Sequence, residues 1–158
     1  MQIGVLFVCL GNICRSPMAE AIFRNLVKEK GMESQFDIDS AGTGDWHIGD
    51  GPHHGTVKKL AEHKISTQGM YSRQLKLEDY DRFDYIVCMD ESNIKNALPM
   101  LGQQKSSKVF RLLDLIKDPK DVPDPYFTGD FEETYQLCLE GCKALLQKIE
   151  LDRQIEKY

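Results

Sequence analysis

The 158-residue sequence predicts an α/β fold: one domain, 1–158, built on an open four-stranded parallel twisted sheet with helices on both faces. Three observations carry this. Apolar strand-like runs alternate with helical stretches, the pattern of repeated β-α-β units. The first run, Val5-Leu6-Phe7-Val8, is apolar at every position, as a strand covered on both faces must be. The length suits a single domain with a sizeable core, and no repeat or low-complexity tract marks a boundary.

Taken in order, strands are expected near 3–9, 36–40, 84–89 and 108–112. The first helix is expected over 17–30, with Ser16 as N-cap, Pro17 as first residue, and Ala19, Ile22, Phe23 and Leu26 on one face. A second helix is expected over 53–64, facing inward with Val57, Leu60 and Ala61, and a third over 91–98. The last starts near 130, where Asp130 and Glu133 make an acidic N-terminal cap. Its stripe runs Phe131, Tyr135, Cys138, Cys142, Leu145 and Ile149, so Cys138 and Cys142 read as core packing, not metal ligands. Cys88 closes an apolar run and reads as a buried strand residue.

Composition excludes several function classes. A net charge of -5 gives no footprint for nucleic acid or an anionic membrane. No apolar stretch approaches a membrane span, and the first residues lack a basic flank and cleavage site, so a cytoplasmic protein is expected. Five cysteines, an odd number, are then expected as reduced thiols. A monomer or weak dimer is expected.

The chemistry concentrates in Cys9-Leu10-Gly11-Asn12-Ile13-Cys14-Arg15-Ser16-Pro17, which joins the first strand to the first helix. Gly11 and Asn12 most readily accept left-handed backbone angles, so the loop can curl and point successive N–H groups at one centre. The helix adds unpaired N–H groups and the positive end of its dipole, and the concavity becomes an anion site. Arg15 supplies a planar fork for two phosphate oxygens. A free thiol is mostly protonated at neutral pH, but a helix N-terminus and a nearby cation favour the thiolate, so Cys9 is the candidate nucleophile. Ser16 is placed to donate a hydrogen bond to it, and Ser16 and Ser40 are the expected holders of a left-handed Asn12. A bare cysteine–arginine pair at this spacing reads equally as a buried cysteine and a solvated charge. The strand before it, Gly-Asn inside and Ser-Pro after make the pattern specific.

A thiolate that attacks phosphorus needs an acid for the leaving oxygen. Among 25 carboxylates, Asp124 stands between Pro123 and Pro125 and precedes Tyr126 and Phe127. Flanking prolines fix the backbone around it, although Pro-Asp-Pro is also an ordinary turn. Trp46 lies in a polar Gly-rich loop where a core tryptophan is unexpected, so Trp46, Tyr126 and Phe127 are candidate walls of a substrate slot. His47, His53, His54 and His63 read as surface or packing residues.

The segment Val8–Pro17 resembles the signature loop of the low-molecular-weight protein tyrosine phosphatases. The likeness extends through Asp39-Ser40-Ala41-Gly42, Trp46, Arg73-Gln74, Phe83-Asp84-Tyr85-Ile86, Met89-Asp90-Glu91-Ser92-Asn93 and Asp124-Pro125-Tyr126. The resemblance implies hydrolysis of phosphotyrosine in proteins through a phosphocysteine on Cys9. Arg15 and the loop residues Leu10, Gly11, Asn12, Ile13, Cys14 and Ser16 would bind phosphate, and Asp124 would be general acid and base. No metal or other cofactor is implied. It also implies that Cys14 can form a reversible disulfide with Cys9, and it leaves Tyr126 as a possible regulatory site. Many members carry a second tyrosine where Phe127 stands, and some add a histidine in the segment that here runs Ser66 to Arg73 without one.

Three rival readings are weaker. Arsenate reduction on the same loop uses a further pair of cysteines six residues apart after the third strand, where this chain has only Cys88. A phosphoarginine phosphatase branch carries threonine where Leu10 and Ile13 stand. A non-catalytic phosphate-binding module is expected to lose Cys9 or Asp124, and both are present.

Overall fold

Residues 2–153 are described in the computed structural model. Strand β1 (Ile3–Cys9) leads into helix α1 (Arg15–Glu29), then come strand β2 (Phe36–Gly42) and helix α2 (His54–Glu62). A single turn, α3 (Asp79–Arg82), precedes strand β3 (Tyr85–Cys88), helix α4 (Glu91–Met100) and strand β4 (Val109–Arg111). The chain ends through the one-turn helix α5 (Pro125–Thr128) and the long helix α6 (Phe131–Arg153). The strands form one parallel sheet in the order β2-β1-β3-β4. The expected fold is thereby met, strand for strand.

Alternation along β1 divides the core into two. Val5, Phe7 and Cys9 point to the face covered by α1, α2 and α6, where Met18, Ile22, Phe23, Leu60, Cys138, Cys142, Leu145 and Ile149 pack. Leu6 and Val8 point to the other face, against Phe83, Ile86, Ala97 and Leu101. Burying each such side chain is worth roughly 1.5–3 kcal/mol. Gly4 is required on that second face. A Cβ there would lie 2.7 Å from Arg82 O and 2.9 Å from Phe83 Cα, both backbone.

Three local expectations change. Helix α1 begins at Arg15 with Cys14 as its N-cap, because the Ser16 hydroxyl is drawn to Cys9 instead of capping the helix. Helix α2 turns inward with Thr56 and Leu60, leaving Val57 and Ala61 exposed. Thr56 is buried because its hydroxyl donates to Cys14 O at 3.1 Å. Gly11 is not left-handed: Asn12 alone in the loop has a positive φ, 56°. The α6 stripe and its Asp130 cap stand as expected, with Glu133 N donating to Asp130 Oδ1 at 2.9 Å.

The chain leaves β1 toward β2 on one side and later crosses to β3 on the other. A crevice therefore opens at the carboxyl end of β1, where the order reverses.

Candidate active site

The loop from Cys9 to Arg15 fills that crevice, and its carbonyls are tied down from outside. Cys9 O accepts from Thr43 N (3.0 Å), Leu10 O from Gly44 N (2.9 Å) and Ile13 O from His53 N (2.7 Å). Gly11 O accepts from Ser72 Oγ (3.1 Å), and Cys14 O from Met18 N and Thr56 Oγ1. With its carbonyls so committed, the loop presents N–H groups to the concave side. Gly42 allows this curl, since a Cβ there would come within 2.8 Å of Leu10 O.

Asn12 is the keystone. Its Oδ1 accepts from Arg73 N at 3.0 Å, which fixes the amide orientation because a backbone N–H can only donate. Its Nδ2 then donates to Ser16 Oγ (2.8 Å) and Ser40 Oγ (3.0 Å), as the sequence predicted. Ser16 Oγ lies 3.0 Å from Cys9 Sγ, its hydroxyl proton still free to point at a thiolate there, and Asn12 N donates to the same sulfur at 3.3 Å. Ser40 Oγ donates to Glu20 Oε1 at 2.6 Å, and burial raises the Glu20 carboxyl above its ordinary value.

Arg15 is buried and held from one side. Nη1 donates to Asp90 Oδ2 (2.6 Å) and to Val122 O (3.0 Å), while Nη2 lies 3.5 Å from Asp124 Oδ2. Nε is buried without a partner among the described residues. Nε and Nη2 are thus the two nitrogens of the fork that Asp90 and Val122 O leave uncommitted. The fork itself was legible in the sequence. Its anchors Asp90 and Val122 O were not, since nothing local links positions so far apart.

A cavity of about 210 Å³ lies over the loop, lined by Cys9, Leu10, Gly11, Ile13, Cys14, Trp46, His47, Asp124, Tyr126 and Phe127. Asp124 caps α5 by accepting from Tyr126 N at 3.1 Å, so its second oxygen remains toward Arg15. Trp46, Tyr126 and Phe127 are exposed apolar walls. The structure thereby gathers Cys9, Leu10, Gly11, Ile13, Cys14, Asp124, Trp46, Tyr126 and Phe127 at one cavity, while Asn12, Arg15, Ser16 and Ser40 are buried outside its lining.

Two histidines do more than their sequence suggested. His47 lines the cavity against Gly11, with Nδ1 3.1 Å from Asp50 Oδ2. His53 is a packing residue, stacked on His54 and Phe131 and edge-on to Tyr126, and its Nδ1 caps α2 by accepting from Gly55 N. Burial, then the neighbouring His54, holds the His53 imidazole below its ordinary value.

The other thiols are unlike Cys9 in setting. Burial, reinforced by Asp124 and Cys9, pushes the Cys14 thiol up to about 12. Burial likewise pushes Cys138 up to about 12 and raises Cys88 and Cys142. Among the described residues the one group spaced for a cation is Glu62, His63 and Glu132. It is exposed, and the Lys59 ammonium already bridges both glutamates.

Fold and site together define an α/β protein with a cysteine-centred loop, its carbonyls turned outward, at the switch point of its sheet. The chain belongs to the low molecular weight phosphotyrosine protein phosphatase family, whose model matches residues 4–155. It is 53% identical over 156 residues to the low molecular weight protein-tyrosine-phosphatase YfkJ of Bacillus subtilis, covering 98% of this chain and 100% of the relative. It is 42% identical over 157 residues to PtpA of Staphylococcus aureus, of the same description, covering 99% of each. The crystal structure of YfkJ superposes with a TM-score of 0.94 over 97% of this chain and 98% of that one, at 52% identity. That of DARP, the Drosophila arginine phosphatase, does so at 0.84 over 95% and 98%, at 34% identity.

Proposed function

We propose that this chain is a protein tyrosine phosphatase that works through a phosphocysteine. Cys9 attacks phosphorus in line, while the Arg15 Nε–Nη2 edge and the loop N–H groups hold the equatorial oxygens. Asp124 protonates the departing phenolic oxygen. The same carboxylate then takes a proton from the water that hydrolyses the phosphocysteine, by microscopic reversibility. No step calls for a metal. The observation that carries this reading is Arg15, pinned by Asp90 and Val122 O, with its Nε unpartnered among the described residues and its Nη2 3.5 Å from Asp124.

The walls support tyrosine as the substrate side chain. Trp46, Tyr126, Phe127, Leu10 and Ile13 make an apolar slot suited to a phenyl ring standing between the surface and the sulfur. The likeness to DARP keeps phosphoarginine as the second reading, and Leu10 and Ile13, where that branch carries threonine, favour tyrosine. Cys14, a neutral thiol in the same cavity, is the reserve partner that condenses with an oxidised Cys9. A cytoplasmic location and a monomer or weak dimer complete the proposal.

The test is phosphate release from matched phosphotyrosyl, phosphoseryl and phosphoarginyl peptides with a chelator present and Cys9→Ser as the blank. Release from the tyrosyl peptide alone is expected. Preferential release from the arginyl peptide would replace this reading with the second, and release by Cys9→Ser equal to wild type would remove the nucleophile.

A further inference from the structure

Behind the phosphate loop, residues 72–75 form a strap across the carboxyl end of β2. Gly42 N donates to Arg73 O and Leu75 N to Gly42 O, both at 2.8 Å, in an isolated parallel bridge. From there the strap meets the loop twice: Arg73 N reaches Asn12 Oδ1 and Ser72 Oγ reaches Gly11 O. It also grips the segment after Trp46, with Gly49 N donating to Ser72 O (2.8 Å) and Ser72 N to Asp50 O (2.7 Å). None of its residues lines the cavity.

One buried acid fixes the strap. Asp79, with no exposed side-chain surface, takes Arg73 Nη1 and Nη2 at 3.0 Å each on its two oxygens and Lys76 N at 2.9 Å. Asp39 takes Arg73 Nε at 3.0 Å. A forked guanidinium held by two acids anchors the strap from the side chain while Gly42 N holds Arg73 O, and together they keep the backbone N–H of Arg73 on Asn12. A well-packed apolar pair would fill the same space without desolvating a charge. What the ion pair adds is this directionality.

We propose that Asp79 is a positioning residue for the phosphate loop. Through Arg73 it aims the N–H that holds Asn12 in its left-handed conformation. From that conformation Asn12 N faces Cys9 Sγ, and the Asn12 amide turns Ser16 toward the same sulfur. The proposal rests on Cys9 being the nucleophile, but not on which phosphorylated side chain it attacks.

The test is Asp79→Asn, which keeps the volume, removes the charge and sets an amide against the guanidinium. Alkylation by iodoacetate, followed by mass spectrometry of each cysteine, reads the thiolate without any turnover. A wrong substrate class therefore leaves this readout intact, and a wrong nucleophile shows already in slow labelling of Cys9 in the wild type. At a pH where wild-type labelling still rises with pH, so that the thiolate fraction limits the rate, loss of one hydrogen bond to a charged sulfur slows Cys9 labelling about tenfold. The kcat for a phosphotyrosyl peptide falls by the same factor with KM little changed, and Cys14, Cys88, Cys138 and Cys142 stay unlabelled. In an Asn12→Gly background, where the path is already cut, Asp79→Asn slows labelling no further. Labelling at the wild-type rate, or a second full loss in that background, overturns the proposal. If Asp79→Asn labels the buried cysteines as well, it has unfolded, and Arg73→Lys decides by the same two measurements. Its point charge keeps the sign but not the fork, so undiminished Cys9 labelling there is equally fatal.

Discussion

Replacing Asn12 by alanine and, separately, by glycine separates two costs that meet at one position. Both changes remove three side-chain hydrogen bonds, to Ser16 Oγ, Ser40 Oγ and from Arg73 N. At a net value of about 1 kcal/mol each, that is about 3 kcal/mol. Alanine must also sit at φ 56°, which costs roughly 1 kcal/mol more and which glycine escapes. Alanine should therefore destabilise by about 4 kcal/mol and glycine by about 3 kcal/mol, both less than the 5–15 kcal/mol total typical of a domain. Guanidinium unfolding reads both, as a shift of midpoint at unchanged slope. Equal losses for the two variants would refute the left-handed constraint, and losses below about 1 kcal/mol would refute the hydrogen-bond network.

The remaining predictions concern the acid, the packing and the pH response. Asp124→Ala should slow hydrolysis about 10²–10⁴-fold for alkyl phosphates and far less for a nitrophenyl phosphate; equal slowing would remove the proton-donor role. Gly4→Ala drives a methyl into the backbone of Arg82 and Phe83 and should destabilise by about 1–3 kcal/mol, read as a lower Tm. The His53 imidazole is held below its ordinary 6.5, so the native state binds fewer protons than the unfolded chain. Its contribution to stability is thus present above that value and lost as pH falls through the lowered one. Protonated Nδ1 also ceases to accept from Gly55 N. His53→Asn keeps an acceptor at the start of α2 and does not titrate. On acidification from about pH 7 to about pH 5 the wild type should therefore lose more Tm than the variant. Parallel losses would exclude His53 as the source.

The sequence disclosed what is local. A strand that is apolar at every position, a Gly-Asn turn and a helix start lie within seventeen residues, and each constrains the next. Two prolines single out Asp124 as a candidate, and the family resemblance supplied its role as acid. What stayed hidden depends on pairings across the fold. Asp90 reads as an ordinary helix cap, and it is one, accepting from Asn93 N at 2.7 Å while its other oxygen holds Arg15. Asp79 looks like one of several surface acids around Tyr80, yet it is fully buried. Val57 misled because hydrophobicity implies burial only one way. Thr56 took the inward place by finding a carbonyl, which an apolar side chain cannot do.

The sheet order has a consequence for biosynthesis. Strand β1 is made first, yet it lies inside the sheet, between β2 and β3. A nascent chain therefore carries Ile3–Cys9, apolar and β-prone, with an unpaired edge until Tyr85–Cys88 has been made. At about 5–20 residues per second, that delay is on the order of ten seconds. The strand that ends in Cys9 is for that interval the segment most open to pairing with a neighbouring chain, so its safe burial is a race between translation and aggregation.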